Sequence, residues 1–247
     1  MSAVETDSLY VYGVTWSGSA PAKSPGVAEA RVGTVEHGEL AAVTSVAGGE
    51  LRGKRRDLLR HSDVLQGVFD HAPVLPFRFG TVLDSEQAVV DDLLSARYEE
   101  LVALLQRFEG LAEFRIRASF VEDKVLAEIV RDEPRVARLR EATRDAPSAD
   151  PRRVQLGELV AQALEARKLA AADEVVASLV PFAHDVHVDE RREALEVIRA
   201  SFLTERREPR LERAAEKLAK RHAERIAFEL VGPMPPHSFV SLNGGRR

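Results

Sequence analysis

The chain has 247 residues, 45% of them apolar and 30% charged, with a formal net charge of −5 and no cysteine. That composition supports a globular core in one large or two small domains, and it excludes disulfides, thiolate catalysis and zinc–cysteine sites. The acidic balance argues against a generally nucleic-acid-binding surface. No apolar run approaches the roughly 20 residues of a membrane span, and the acidic start Met1-Ser2-Ala3-Val4-Glu5-Thr6-Asp7 is unlike a secretory signal. A soluble cytoplasmic protein is therefore expected.

In chain order, Leu9 to Trp16 reads as a strand, followed by a loop of Ser, Gly, Ala and Pro as far as Pro25-Gly26. Ala30 to Glu36 and Glu39 to Ala47 form a hairpin about His37-Gly38. A helix runs from Lys54 to about Asp70. Val74 to Phe79 is a short strand with Leu75, Phe77 and Phe79 on an apolar face and Val74, Pro76 and Arg78 on the other. Pro76 cannot donate a ladder hydrogen bond, so this strand is expected at an edge or at a bulge. Gly80 ends it, and Asp84 or Ser85 can cap a long helix from about Glu86 to Phe108. Val90, Leu93, Leu94, Leu101, Leu104, Leu105 and Phe108 share one face of that helix, and Gly110 stops it.

Leu111 to Val121 alternates, with Phe114, Ile116, Ala118 and Phe120 inward and Glu113, Arg115, Arg117 and Ser119 outward. Helix follows from Asp123 to about Arg131, is interrupted at Pro134, and resumes from Arg135 to Arg144. Asp150-Pro151 starts a further helix to about Leu179. Asp185 to Glu190 and Glu193 to Leu203 read as paired strands. Pro209 opens a helix to about His222 with a narrow stripe of Leu211, Ala214, Ala215 and Leu218, and Ile226, Phe228 and Leu230 belong to a last strand. The expected class is α+β with two domains, 1–110 and 111–240, and a disordered tail, 241–247. From Leu111 the order strand, helices, strand, strand, helix, strand is the βαββαβ pattern of a ferredoxin-like domain with an elongated first helical crossover. The first half has the same order with that crossover lacking or tiny, a degenerate ferredoxin-like sheet plus helices.

Three constellations invite chemistry. Gly48-Gly49-Glu50-Leu51-Arg52-Gly53-Lys54 fits Gly-x4-Gly-Lys, but Arg55 stands where magnesium needs Ser or Thr, and Glu50 sets a carboxylate where phosphates would lie. A nucleotide-binding switch or enzyme using this loop is the alternative function; a flexible loop before a basic helix is the plainer reading. His184, Asp185, His187 and Asp189 hold the densest set of ligand types, yet without closing a ligand count, so the polar outer face of a sheet is expected and no metal. His61 near Asp57 and Asp63 suggests an acid–base pair, or a capped or surface histidine. Serine hydrolase and dinucleotide signatures are absent, so neither an enzyme nor a cofactor is expected.

Pro73 to Val82, Pro-Val-Leu-Pro-Phe-Arg-Phe-Gly-Thr-Val, closely resembles the signature segment of the gas vesicle F/L family of accessory proteins. The opening strand Leu9-Tyr10-Val11-Tyr12-Gly13-Val14, the helix segment Leu59-Arg60-His61-Ser62-Asp63-Val64-Leu65 and the Pro-rich end Gly232-Pro233-Met234-Pro235-Pro236-His237-Ser238-Phe239-Val240 resemble it too, in order along nearly the whole chain. The resemblance implies two α+β domains, the second ferredoxin-like. It also implies a non-enzymatic, vesicle-associated assembly factor that binds the small apolar shell protein during nucleation or growth and sometimes stays as a minor component. Other accessory proteins are further expected partners; nucleic acid and membrane are not. An arginine between two phenylalanines on an edge strand can bind a partner's carboxylate or pair internally. Pro76, Arg78 and Phe79 are accordingly the expected partner-binding residues.

Overall fold

The computed structural model describes residues 8–19, 24–48, 54–190 and 193–240. The chain divides into two compact units, Met1–Glu113 with Pro233–Arg247, and Phe114–Gly232. The Pro-rich segment thus groups with the N-terminal residues. The expected disordered tail, 241–247, lies outside the described residues.

The first unit is built on β1 (Leu9–Trp16), whose six interior residues are all buried. Such a strand reads as a near-continuous apolar run because both of its faces are covered. β3 (Leu40–Val46) pairs one side of β1, and β2 (Val32–His37) pairs the far side of β3. β4 (Val74–Pro76) and β5 (Val82–Leu83) pair the other side of β1. The order is β2-β3-β1-β4, antiparallel throughout, with β4 at the edge. The expected strand to Phe79 stops at Pro76. β4 is packed by both α1 (Arg55–Phe69) and α3 (Tyr98–Phe108). Val74, Leu75 and Pro76 are therefore all buried, instead of alternating in and out.

The single helix expected from Glu86 to Phe108 is three pieces. α2 (Glu86–Ala88) is capped by Ser85, whose hydroxyl accepts from the Ala88 N–H at 3.1 Å. A π-helical stretch follows over Val89–Ser95, and its Ala96 N–H reaches back five residues to Asp91 C=O at 3.2 Å. The wider turn brings Val89, Leu93 and Leu94 inward before Leu101, Leu105 and Phe108 resume the stripe on α3. Arg97, at φ −126°, separates the two stretches.

β6 (Leu111–Phe120) enters the second unit at Phe114 and is followed by α4 (Glu122–Asp132), α5 (Pro134–Ala142) and α6 (Pro151–Leu179). α6 starts where Asp150 accepts from the Arg152 N–H at 2.8 Å, and the Arg152 side chain holds that carboxyl down at about 2. β7 (Asp185–Val188), β8 (Glu196–Glu205), α7 (Pro209–Arg221) and β9 (Ile226–Met234) complete the unit. The sheet order is β7-β8-β6-β9. Numbered within each unit, both sheets run second, third, first, fourth strand. Between its first two strands the first unit has, among the described residues, a 3-10 turn, Val27–Glu29, where the second has α4 to α6.

On β6, too, a residue departs from its expected face. Glu113 is fully buried, not outward. Its carboxylate accepts from the Ser238 N–H at 2.7 Å and from the Ser238 hydroxyl at 2.8 Å. The Pro-rich end supplies donors that a solvated face would take from water, which is what a buried carboxylate needs.

Candidate partner-binding turn

Between β4 and β5 the chain leaves the edge of β1 and returns to it. Phe77 N–H still bonds Tyr12 C=O at 2.8 Å, and Thr81 C=O receives the Val11 N–H at 2.9 Å. Residues Arg78 to Thr81 make a tight turn, closed onto the Arg78 carbonyl by the Thr81 N–H at 3.3 Å and the Thr81 hydroxyl at 2.8 Å. Gly80 stands third, at φ +89°, the place a type II turn reserves for glycine.

The turn is braced from inside. Tyr10 and Tyr12, two apart on β1, lie against His61 of α1. The Phe77 carbonyl, 3.2 Å from His61 Nε2, can only accept, so a neutral His61 carries its proton there. Nδ1 then accepts the Tyr10 hydroxyl at 2.8 Å, and the Tyr10 oxygen accepts the Gly80 N–H at 3.1 Å. One relay therefore ties down both Phe77 and Gly80. Phe79 closes it with its ring edge-on to Tyr10 and His61, centroids 6.0 and 5.8 Å away. Burial drives the His61 imidazole down to about 4, against the pull of the Phe77 carbonyl and helped by His237. Burial also pushes the Tyr10 phenol up to about 12 and raises Tyr12. All three side chains are thus uncharged hydrogen-bonding groups at neutral pH.

Tyr12 carries the brace across the sheet. Its oxygen accepts the Val27 N–H at 2.8 Å and lies 2.9 Å from Ser45 Oγ on β3. Ser45→Ala is expected to cost about 1 kcal/mol, because the Tyr12 hydroxyl loses its buried partner. The urea midpoint reads this effect, and an unchanged midpoint would show that the bond contributes nothing.

The expected partner residues divide by burial. Pro76 is buried in β4, opposite Gly13. Phe79 is half-buried in the brace. Arg78 is exposed, and among the described residues its guanidinium has no hydrogen bond or ion pair. In the same unit Arg60 lies 3.4 Å from Glu29 and Arg97 grips Glu100 at 2.8 Å, while Arg31 and Arg55 are, like Arg78, exposed without a partner among the described residues.

His61 is neither a surface histidine nor half of an acid–base pair. It is buried, its two nitrogens go to Tyr10 and Phe77, and Asp63 is exposed. The signal was present: His61 continues the stripe Val64, Leu65 and Val68, all buried, one turn toward the N-terminus. Residues 49–53 of the Gly48–Lys54 loop lie outside the described residues, and Lys54 is the N-cap of α1. On β7, His187 meets Asp189 at 3.5 Å, and no three such side chains group as ligands among the described residues. Nor, among those residues, is any helix long and apolar enough to cross a membrane.

Comparison with known proteins identifies the family and the fold. The chain is 34% identical over 239 residues to gas vesicle protein F of Streptomyces sp. (strain CB03234), covering 94% of this chain and 99% of that one. It is 24% identical to gas vesicle protein F of Dolichospermum flosaquae over 193 residues, 76% of this chain and 78% of the other. In fold it is similar to the crystal structures of GvpF from Anabaena sp. PCC7120 and from Microcystis aeruginosa. The TM-scores are 0.80 and 0.77 at 21% and 20% identity, and each pairing covers 96% of this chain and 100% of the other. The model of the family described as gas vesicle synthesis protein GvpL/GvpF matches residues 8–241. With every described residue inside that match, the chain belongs to the GvpL/GvpF family of gas vesicle accessory proteins.

Proposed function

We propose that this chain is an assembly factor that binds the small apolar gas vesicle shell protein during nucleation or growth, carries out no reaction, and can remain on the vesicle as a minor component. It works in the cytoplasm, with other accessory proteins as further partners. The family match over residues 8–241 carries the reading. A physical need supports it: a subunit whose apolar face and strand edges pair with copies of itself aggregates unless something covers them.

The partner-binding lobe in this reading is 1–110, with the contact at Pro76, Arg78 and Phe79. β4 has three residues and Pro76 lacks an N–H, so strand addition there is short. The exposed Arg78 beside it favours a side-chain contact, with Pro76 and Phe79 as its mount. A second surface favours a longer backbone contact. β9 ends its sheet, with Leu230 and Val231 37% and 47% exposed, and an extended segment can add to such an edge. The shared strand order supports reading both units as ferredoxin-like, the second complete and the first degenerate.

Co-expression of the tagged full-length chain with the shell protein tests the binding. Shell protein should co-purify with the chain and move out of the insoluble fraction. Identical distribution with and without the chain would sink the proposal. Val231→Lys asks which surface matters: loss of recovery there, with Arg78→Ala unaffected, would assign the contact to β9.

A further inference from the structure

We infer that the Arg78–Thr81 turn is a preorganised mount presenting Arg78 to a carboxylate of the shell subunit, with Tyr10 and His61 as its positioning residues. The inference rests on the shell-binding reading above and assigns the chemistry of its contact.

Three observations carry it. The first is the state of the arginine. In a chain of net charge −5, Arg78 stands exposed with no carboxylate on its guanidinium among the described residues. Arg60 and Arg97 of the same unit are already paired; Arg31 and Arg55 are exposed and unpaired among the described residues as Arg78 is, but Arg78 is the one carried by the braced turn. An unpaired guanidinium presents a planar fork of donors, and an unmodified polypeptide offers one matching anion, the carboxylate of Asp, Glu or a chain end.

The second is the stiffness of what holds it. An edge loop needs only its ends tied. Here four backbone groups between Phe77 and Thr81 are bonded to other elements: Phe77 N–H to Tyr12, Phe77 C=O to His61, Gly80 N–H to Tyr10 and Thr81 C=O to Val11. The turn's own bonds to the Arg78 carbonyl, from Thr81, add to these. Ordering completed on folding need not be repeated at binding, which lowers the cost of association.

The third is where the polar groups sit. Tyr10 and His61 are buried, and among the described residues the backbone atoms their polar atoms reach are Phe77 C=O and Gly80 N–H, on either side of Arg78. Phenylalanine and leucine would fill the same core without donors or acceptors. The relay therefore holds the backbone from which Arg78 projects.

Recovery of shell protein per mole of tagged full-length chain tests this in Arg78→Ala, Arg78→Lys, Tyr10→Phe and the Tyr10→Phe/Arg78→Ala pair, with a thermal melt of each to normalise for folded protein. Arg78→Ala should lower recovery roughly tenfold, and Arg78→Lys should restore it only in part, having the charge without the fork. Tyr10→Phe keeps the ring and removes the hydroxyl. It should lower recovery several-fold with Arg78 present and change nothing further in the Arg78→Ala background. Wild-type recovery in Arg78→Ala overturns the inference. So does an equal loss from Tyr10→Phe in both backgrounds, which is how a merely structural hydroxyl behaves. If the wild-type chain itself recovers no shell protein, the shell-binding reading falls first and takes this contact with it.

Discussion

Acidification from pH 7 to 4 should remove about 3 kcal/mol of stability through His61 alone. In the folded protein its imidazole holds a proton only below about 4, because burial disfavours the cation and His237 adds to the penalty. In the unfolded chain it protonates near its ordinary 6.5. Between those values the unfolded state binds the proton and the native state does not, so stability rises with pH across the window. The contribution is complete above 6.5, falls as pH drops, and levels off below about 4. About 2 kcal/mol of the loss comes by pH 5, before carboxylates titrate. The structural cause is specific: a cationic His61 has no lone pair for the Tyr10 hydroxyl, so the link to Gly80 loses its anchor. The titratable groups facing the cluster are Tyr12, Asp57 and His237. Urea unfolding at pH 7, 6 and 5 for wild type and His61→Gln measures the effect. Wild type should lose stability through this range while the glutamine variant stays level. Parallel slopes would mean that His61 is already protonated in the fold, or open to solvent.

Gly13→Ala should cost about 3 kcal/mol, at the upper end for overpacking a core, despite adding one methyl group. Gly13 lies where β1 meets β4, opposite Pro76, beside the irregularity in the β1–β3 register between Val11 and Gly13. A Cβ there would stand 2.5 Å from the Leu75 carbonyl oxygen and 3.1 Å from side-chain carbons of Leu65 and Val74. The oxygen is backbone, so relief requires β4 to move. β4 leads directly into the braced turn, and the substitution should therefore also lower shell-protein recovery per folded molecule. Chemical denaturation reads the first effect and the co-purification above the second. A loss under about 1 kcal/mol, the range of a tolerated volume change, would mean that β4 yields to the added methyl and the β1–β4 contact is loose.

Glycine at this position is also instructive for what a sequence reveals. In Leu9-Tyr10-Val11-Tyr12-Gly13-Val14 the apolar run identifies a strand, and nothing local says which neighbour crowds Gly13. Most elements were legible in the same way. β1, α1 and α6 follow from runs, stripes and an Asp-Pro start, and Ser85 is the cap its position suggested. The break between Ser95 and Tyr98 was not legible, because a π-helical stretch and an α-helix carry nearly the same apolar spacing over so few residues. Phe77 and Phe79 looked like strand residues for a related reason: alternation reports a pleat only while the chain stays extended, and the chain leaves the pleat after Pro76.

By itself, then, the order of residues determined the α+β class, the place of nearly every helix and strand, and, through four segments in sequence, the family. Periodic burial and turn chemistry act between near neighbours, and so they are written locally. Only the tertiary structure decided that His61 lies under the signature turn, that Glu113 is buried against Ser238, and that Arg78 is held out without a partner among the described residues. Those facts depend on groups 16, 51 and 125 positions apart meeting in space, and no local period encodes such meetings.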